Sequence, residues 1–481
     1  MSVGRVLATQ QARDAAKQLR ALTGPVKEQL RRVLQHGGIL ADPQHWDSSL
    51  AGKWRHDWGH DVNQLNRTVA KLEELEHTAR QVVEDIFKAD NARFEASATS
   101  GLSAPGPPKG GTPADNAGWW ASLSDQERQA LLDRDPGALG NLDGLPAAVR
   151  DKANRSRIDD ERAALEAERN RLQADLDDNL FGGLFTNADA ALEHVNAKLA
   201  SLGAIEKTLG QPGERQLLLL DLTGERAEAA VAVGDIDTAD NVTVFTPGLG
   251  STVDGSLEGY DDNMERLQRQ AQYESNRYGE GGSVATVTWI GYQAPQPGFE
   301  GFNPFDSDSV LQDDSARAGG ADLADFYRGI NASRSSDPHL TALGHSYGST
   351  TTGFALQQDT GVDDAVFFGS PGLGTSHIEN LRVPGGHTYR VEARNDPVAD
   401  FGAFGIDPSH MDGLAGLSAR EETLPDGRRL AESTGHSDYL TQNSASQYNM
   451  SVVVAGLHDR IVTDDGRGLG DIGSWPIPGT Y

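Results

Sequence analysis

From residue 211 onward the chain alternates short, nearly unbroken apolar runs with stretches of helical spacing, and no other feature narrows the possible folds as much. Strands are expected at 216–222, 227–233, 241–246, 284–292, 339–344, 364–369, 388–393 and 450–454, with helices at 262–278, 316–334 and 349–358. Runs without polar alternation belong to strands covered on both faces. Strand and helix in turn then give an α/β sandwich around a mainly parallel sheet.

One junction in this region carries chemistry. Thr341-Ala342-Leu343 leads into Gly344-His345-Ser346-Tyr347-Gly348, which fits G-x-S-x-G, and a helical stretch follows. That order suits a sharp strand-to-helix turn holding a serine above a parallel sheet. Ser346 is the expected nucleophile; the alternative is a turn serine in a doubly wound binding fold. A serine at its ordinary pKa needs a base, and the base an orienting carboxylate. In such folds the acid precedes the histidine along the chain. Asp396, in Arg394-Asn395-Asp396-Pro397 after a strand, is the expected acid, with Asp400 and Asp407 behind it and an ordinary Asp-Pro turn as the alternative. His436, in the polar loop Gly435-His436-Ser437-Asp438, is the expected base, with His410 and His458 as rivals. An oxyanion requires backbone N–H donors. They are expected from Tyr347 and from Gly248, Leu249 and Gly250 in the loop after 241–246, unless that loop is an ordinary glycine turn. The loop is not a dinucleotide fingerprint, because Val253 stands where the last glycine would fall.

The remaining composition bounds the function. There are no cysteines, which excludes disulfides, thiol nucleophiles and Cys-based metal sites. His56 and His60 lie four apart without an evident third ligand, and 306–314 lacks the glycine of an EF-hand loop, so neither a metal nor another cofactor is expected. The net charge of −29 is uneven: residues 211–481 hold 16 basic against 40 acidic side chains. So acidic a surface disfavours nucleic acid and anionic bilayers as partners. No apolar run approaches the ~20 residues of a membrane span. The start of the chain has no apolar signal-peptide core, so a cytoplasmic location or export without a cleavable signal is expected.

Upstream, residues 1–96 read as helical hairpins, with apolar positions at helical spacing from Val62 to Ile86 and tryptophans at 46, 54 and 58. Residues 97–118, rich in Ser, Gly, Pro and Ala, read as a flexible linker. Residues 119–210 read as a helical segment, with Ser124 and Glu127 forming an N-terminal capping pair. The expected catalytic domain is 211–481. Phe299, Phe302 and Phe305 in 293–315 suit either an active-site flap or a tucked-in loop.

The segments TPGLGS, WIGYQAP, LTALGHSYGS, DDAVFFGSPGLG, RNDPVAD and GHSDYL resemble an actinobacterial α/β-hydrolase family long catalogued as a domain of unknown function. WW…GNLDGLPAAVRDKANR is similar to the helical piece that accompanies that domain. The resemblance implies an α/β-hydrolase fold with Ser346, Asp396 and His436 as its triad. Residues 1–96 are more distantly similar to WXG-type helical hairpins exported by type VII secretion, with Trp58-Gly59 standing where that family has Trp-x-Gly. The expected function is therefore a serine hydrolase of small-molecule or lipid carboxylic esters, of esterase or lipase type. The alternative is a secretion-associated effector or interaction protein whose first 96 residues dock a helical or secretion-system partner, with the hydrolase domain as cargo or vestigial.

Overall fold

The computed structural model describes residues 26–27, 30–34, 58, 62, 65–72, 78, 106–178, 187–296, 310–399 and 404–464. The chain divides into two compact units, Met1–Pro105 and Gly106–Tyr481. Every described residue of the first unit is helical. Trp46, Trp54, Phe299, Phe302, Phe305 and Asp400 lie outside the described residues.

The second unit is built on an eight-stranded sheet: β1 (Arg215–Asp221), β2 (Glu228–Val233), β3 (Asn241–Thr246), β4 (Val284–Ile290), β5 (His339–His345), β6 (Asp364–Phe368), β7 (Thr388–Val391) and β8 (Ala415–Leu417). Their order across the sheet is β1-β2-β4-β3-β5-β6-β7-β8. From β4 to β8 all neighbours run parallel, and β1–β2 and β2–β4 are antiparallel. A two-stranded ribbon of β9 (Glu422–Thr423) and β10 (Arg429–Leu430) follows.

Strand side chains alternate between two cores, as a period of two requires. Val242, Val244, Ala342, Ala365 and Phe367 share one with the helix at Val310–Ala332 and the helix at Tyr347–Leu356. Phe245, Leu343, Val366 and Phe368 share the other with the helices at Val253–Tyr278 and Ala445–Val454. With α1 (Pro113–Ser122), α2 (Asp125–Arg134), α3 (Pro136–Gly140), α4 (Ala147–Asp178) and α5 (Asn187–Leu209) before them, these four are α6 (Val253–Tyr278), α7 (Val310–Ala332), α8 (Tyr347–Leu356) and α9 (Ala445–Val454).

Two expectations are corrected here. Residues 450–454 lie in helix α9, not in a strand. All ten residues of α9 are buried, so its Met-Ser-Val-Val-Val run has no polar face to betray a helical period. The stretch expected as linker also ends early, because Pro113 starts α1 with Thr112 and Asp115 as a capping box. The capping pair of Ser124 and Glu127 forms as expected at the start of α2.

The helical segment before the sheet has a definite task. β1 is an edge strand, and an edge leaves backbone groups without partners. Asn141 Oδ1 accepts from Leu220 N, while Asn141 Nδ2 donates to Leu220 O. Asp151 Oδ1 accepts from Leu217 N, and Asn154 Nδ2 donates to Leu217 O. Arg155 adds a bond to Arg215 O. The GNLDGLPAAVRDKANR segment thus pairs the open edge of β1 with side chains instead of another strand. Ile158, Leu202 and Ile205 pack behind it on Leu217, Leu220 and Val231.

Candidate active site

At the end of β5 the backbone turns sharply into α8, and Ser346 occupies the turn at φ 54° and ψ −134°. A non-glycine residue at such angles is strained and persists only where its surroundings hold it. Here Ser346 N–H donates to Phe368 O, and Ser346 O accepts from Ser349 N–H and Oγ. Gly348 permits the turn: a Cβ there would stand 2.2 Å from Thr246 O and 2.4 Å from Pro247 O.

Two loops from the carboxyl ends of later strands reach this turn. The loop after β7 carries Asp396 and the loop after β10 carries His436, and they are tied together by a Gly435 N–H to Arg394 O bond of 2.7 Å. His436 Nε2 lies 2.8 Å from Ser346 Oγ, and its Nδ1 lies 2.9 and 3.0 Å from the two oxygens of Asp396. The three expected residues are thus brought together. Their rivals are engaged elsewhere: His410 with Asp407, and His458 with Asp364.

The loop after β3 closes over the serine. A Cβ on Gly248 would stand 2.5 Å from Ser346 Cβ and 2.9 Å from its Oγ, so no side chain fits there. Tyr292 Oη donates to Pro247 O and fixes the loop. Gly250 N–H is engaged by Pro295 O at 2.9 Å. Tyr347 is the first residue of α8, where helix N–H groups point outward and favour negative charge.

A family model described as alpha/beta hydrolase matches residues 223–406. An uncharacterized protein of Mycobacterium tuberculosis strain H37Rv is 36% identical over 237 residues, covering 47% of this chain and 86% of its own length. The chain belongs to the alpha/beta hydrolase family. A second uncharacterized protein of the same strain is 28% identical over 393 residues, covering 74% of this chain and 58% of that relative. Among solved structures, the hyperthermophilic esterase of the archaeon Pyrobaculum calidifontis matches at 14% identity over 61% of this chain and 97% of its own, with a TM-score of 0.30. An arylesterase matches at 14% identity, 60% and 97% coverage and a TM-score of 0.31.

In this alpha/beta hydrolase two further residues support the site that the sequence alone did not single out. Tyr439 Oη donates to Asp396 Oδ2 at 2.6 Å and accepts from Ala393 N–H at 2.9 Å. Together with Val398 N–H on Oδ1, it satisfies a carboxylate that is only 3% exposed. Burial pushes the Asp396 pKa up, but the bond and charge of His436, the Tyr439 hydroxyl and Val398 N–H outweigh it and hold the group below its ordinary value. Burial, with the Asp396 charge behind it, raises Tyr439, so that side chain stays a neutral donor. The second residue is His345, whose Nε2 lies 2.9 Å from the backbone oxygen of His436. Burial and then the neighbouring His436 push its pKa down to about 4, so near neutral pH it is uncharged and donates through Nε2–H. Its ring stacks on Phe368, with ring centroids 5.0 Å apart.

Proposed function

We propose that this chain is a serine hydrolase acting on carboxylic esters through Ser346, His436 and Asp396. The observation that carries the reading is the continuous relay from Ser346 Oγ through both nitrogens of His436 to a buried carboxylate. In it, Ser346 Oγ attacks the ester carbonyl carbon as its proton passes to His436 Nε2. Asp396 keeps Nδ1 protonated and stabilises the imidazolium that forms. The tetrahedral oxyanion is held by N–H groups of Tyr347 and of the Gly248-Leu249 segment. His436 then gives its proton to the leaving alcohol, the acyl group stays on Ser346, and water attacks by the same route in reverse.

Every group this route requires is a side chain or backbone amide of the chain itself, so it calls for no cofactor. The test is covalent labelling with a fluorophosphonate, alongside turnover of p-nitrophenyl esters of graded chain length. Wild type should label and turn over, and Ser346→Ala should do neither. The chain-length profile then separates a short-acyl esterase from a lipase. Undiminished labelling in Ser346→Ala would discard the assignment.

A further inference from the structure

The opposite ends of the same strands hold a second group of titratable side chains. Asp364, the first residue of β6, is completely buried. Three histidines from three separate segments converge on its carboxylate. His339 opens β5 and places Nε2 2.6 Å from Oδ2. His458, in the turn after α9, places Nε2 2.8 Å from the same oxygen. His387, one residue before β7, places Nδ1 2.9 Å from Oδ1. Six strand steps separate His339 from His345, about 20 Å at ~3.3 Å per residue, so this cluster is remote from Ser346.

His339 meets two acceptors, and a neutral ring carries only one proton. Its Nδ1 lies 3.3 Å from the carbonyl oxygen of Val454, which can only accept, so a proton on Nδ1 serves this contact. In the neutral ring Nε2 then presents a lone pair, and it presents it to a carboxylate oxygen at 2.6 Å. Both contacts are satisfied together only when a second proton or a metal cation sits at Nε2. A histidine that donates Nδ1–H to a backbone carbonyl and turns Nε2 inward is oriented as metal-ligating histidines are. The ligand atoms of His339, Asp364 and His458 all lie within 4.8 Å of one another. Zinc bonds of ~2.0–2.1 Å in a tetrahedron place ligand atoms roughly 3.4 Å apart, so the two carboxylate contacts need to open by less than about 1 Å, while the widest separation, up to 4.8 Å, needs to close by up to about 1.4 Å. The His339 and His458 side chains are 22% and 35% exposed, which leaves an ion a way in from solvent.

We propose that His339, Asp364 and His458 form a site for a divalent transition-metal ion of the zinc class. Such an ion ties β5, β6 and the turn after α9 together, while His387 holds the second carboxylate oxygen. Two imidazoles and one carboxylate suit zinc and its neighbours better than calcium or magnesium, which take oxygen ligands. The site is a structural clip, and it does not depend on the function assigned to Ser346.

The experiment uses the full chain, dialysed against a chelator and then titrated with Zn2+ near pH 7.5 by calorimetry, with thermal unfolding followed in parallel. Wild type should bind one equivalent that raises Tm and gives tetrahedral ligand-field bands when Co2+ replaces zinc. His458→Ala should lose that equivalent, weakening binding by more than the roughly 10–100-fold that loss of an outer partner costs. Asp364→Asn should do the same if it folds; His458→Ala, at a partly exposed position, keeps the test valid if it does not. Fluorophosphonate labelling of Ser346 should survive in His458→Ala. A wild type that takes up no zinc, or an equivalent that persists unchanged in His458→Ala, would overturn the proposal and leave a proton as the bridging charge.

Discussion

Replacing Tyr439 by phenylalanine removes one oxygen and tests how the site holds its carboxylate. Tyr439 is 1% exposed, and its hydroxyl joins Asp396 Oδ2 at 2.6 Å to Ala393 N–H at 2.9 Å. A hydrogen bond to a charged group contributes roughly 1.5–3 kcal/mol, and a buried N–H left unpaired costs about 1–3 kcal/mol. Because a water can recover part of this, Tyr439→Phe should destabilise by about 2–4 kcal/mol. Asp396 keeps its bonds to His436 and Val398 N–H, so the relay should persist with its acid less firmly ionised. We expect kcat/KM for a p-nitrophenyl ester to fall about tenfold, or about 1.4 kcal/mol, with the acid limb of its pH profile moving upward. Urea unfolding should show a lower midpoint at unchanged m, since the exposed surface on unfolding is the same. A variant with the wild-type midpoint and wild-type kcat/KM would mean that the hydroxyl bears no part of the Asp396 charge, and the account of the site would fall.

Gly248→Ala should leave the fold intact but cut turnover and fluorophosphonate labelling by about 100-fold or more, because the new Cβ falls 2.5 Å from Ser346 Cβ and displaces the proposed oxyanion donor; a variant of unchanged rate would show that this loop lies further from Ser346. Stability should decline as pH drops from about 6.5 to about 4, because the unfolded chain protonates His345 across that window while the folded protein, at about 4, does not. The difference corresponds to as much as about 3 kcal/mol. Asp396, held low by its partners, adds a further loss on the acid side as it protonates. Chemical denaturation at pH 7.5 and 4.5 should give a smaller difference for His345→Asn than for wild type, and an equal one would refute the assignment.

What the sequence reveals follows how local each feature is. Strand, turn and helix around Ser346 are contiguous, so glycines on both sides of a serine after an apolar run are enough to place it. Asp396 and His436 could be proposed because strand ends and chain order limit the choices. Tyr439 lies three residues after His436, but its hydroxyl returns to a carboxylate 43 residues earlier, and no spacing encodes that. His345 is next to the serine, yet its partner is a backbone oxygen 91 residues away. Residues 450–454 of α9 read as a strand because burial on every side erases the periodicity that separates the two. One local signal does distinguish it: Ser444 is followed three residues later by Gln447, and the Ser444 side chain accepts from Gln447 N–H at the helix start.

The histidines around Asp364 had no such signal, since residues 339, 364, 387 and 458 stand alone in four different segments. Parallel register brings three of them together. Thr341 pairs with Asp364, which sets His339 beside the start of β6, and Ala365 pairs with Thr388, which sets His387 against Asp364. The fourth comes from the turn after α9, whose carbonyl at Val454 also holds His339. A parallel sheet therefore offers two meeting places, one at each end of its strands. At the carboxyl ends, tight turns that start helices aim N–H groups at one point, which suits a developing oxyanion. At the amino ends the converging groups here are imidazoles around a buried carboxylate, which suits a cation. On the metal-site proposal each end carries the charge its own surroundings stabilise, with about 20 Å of β5 between them.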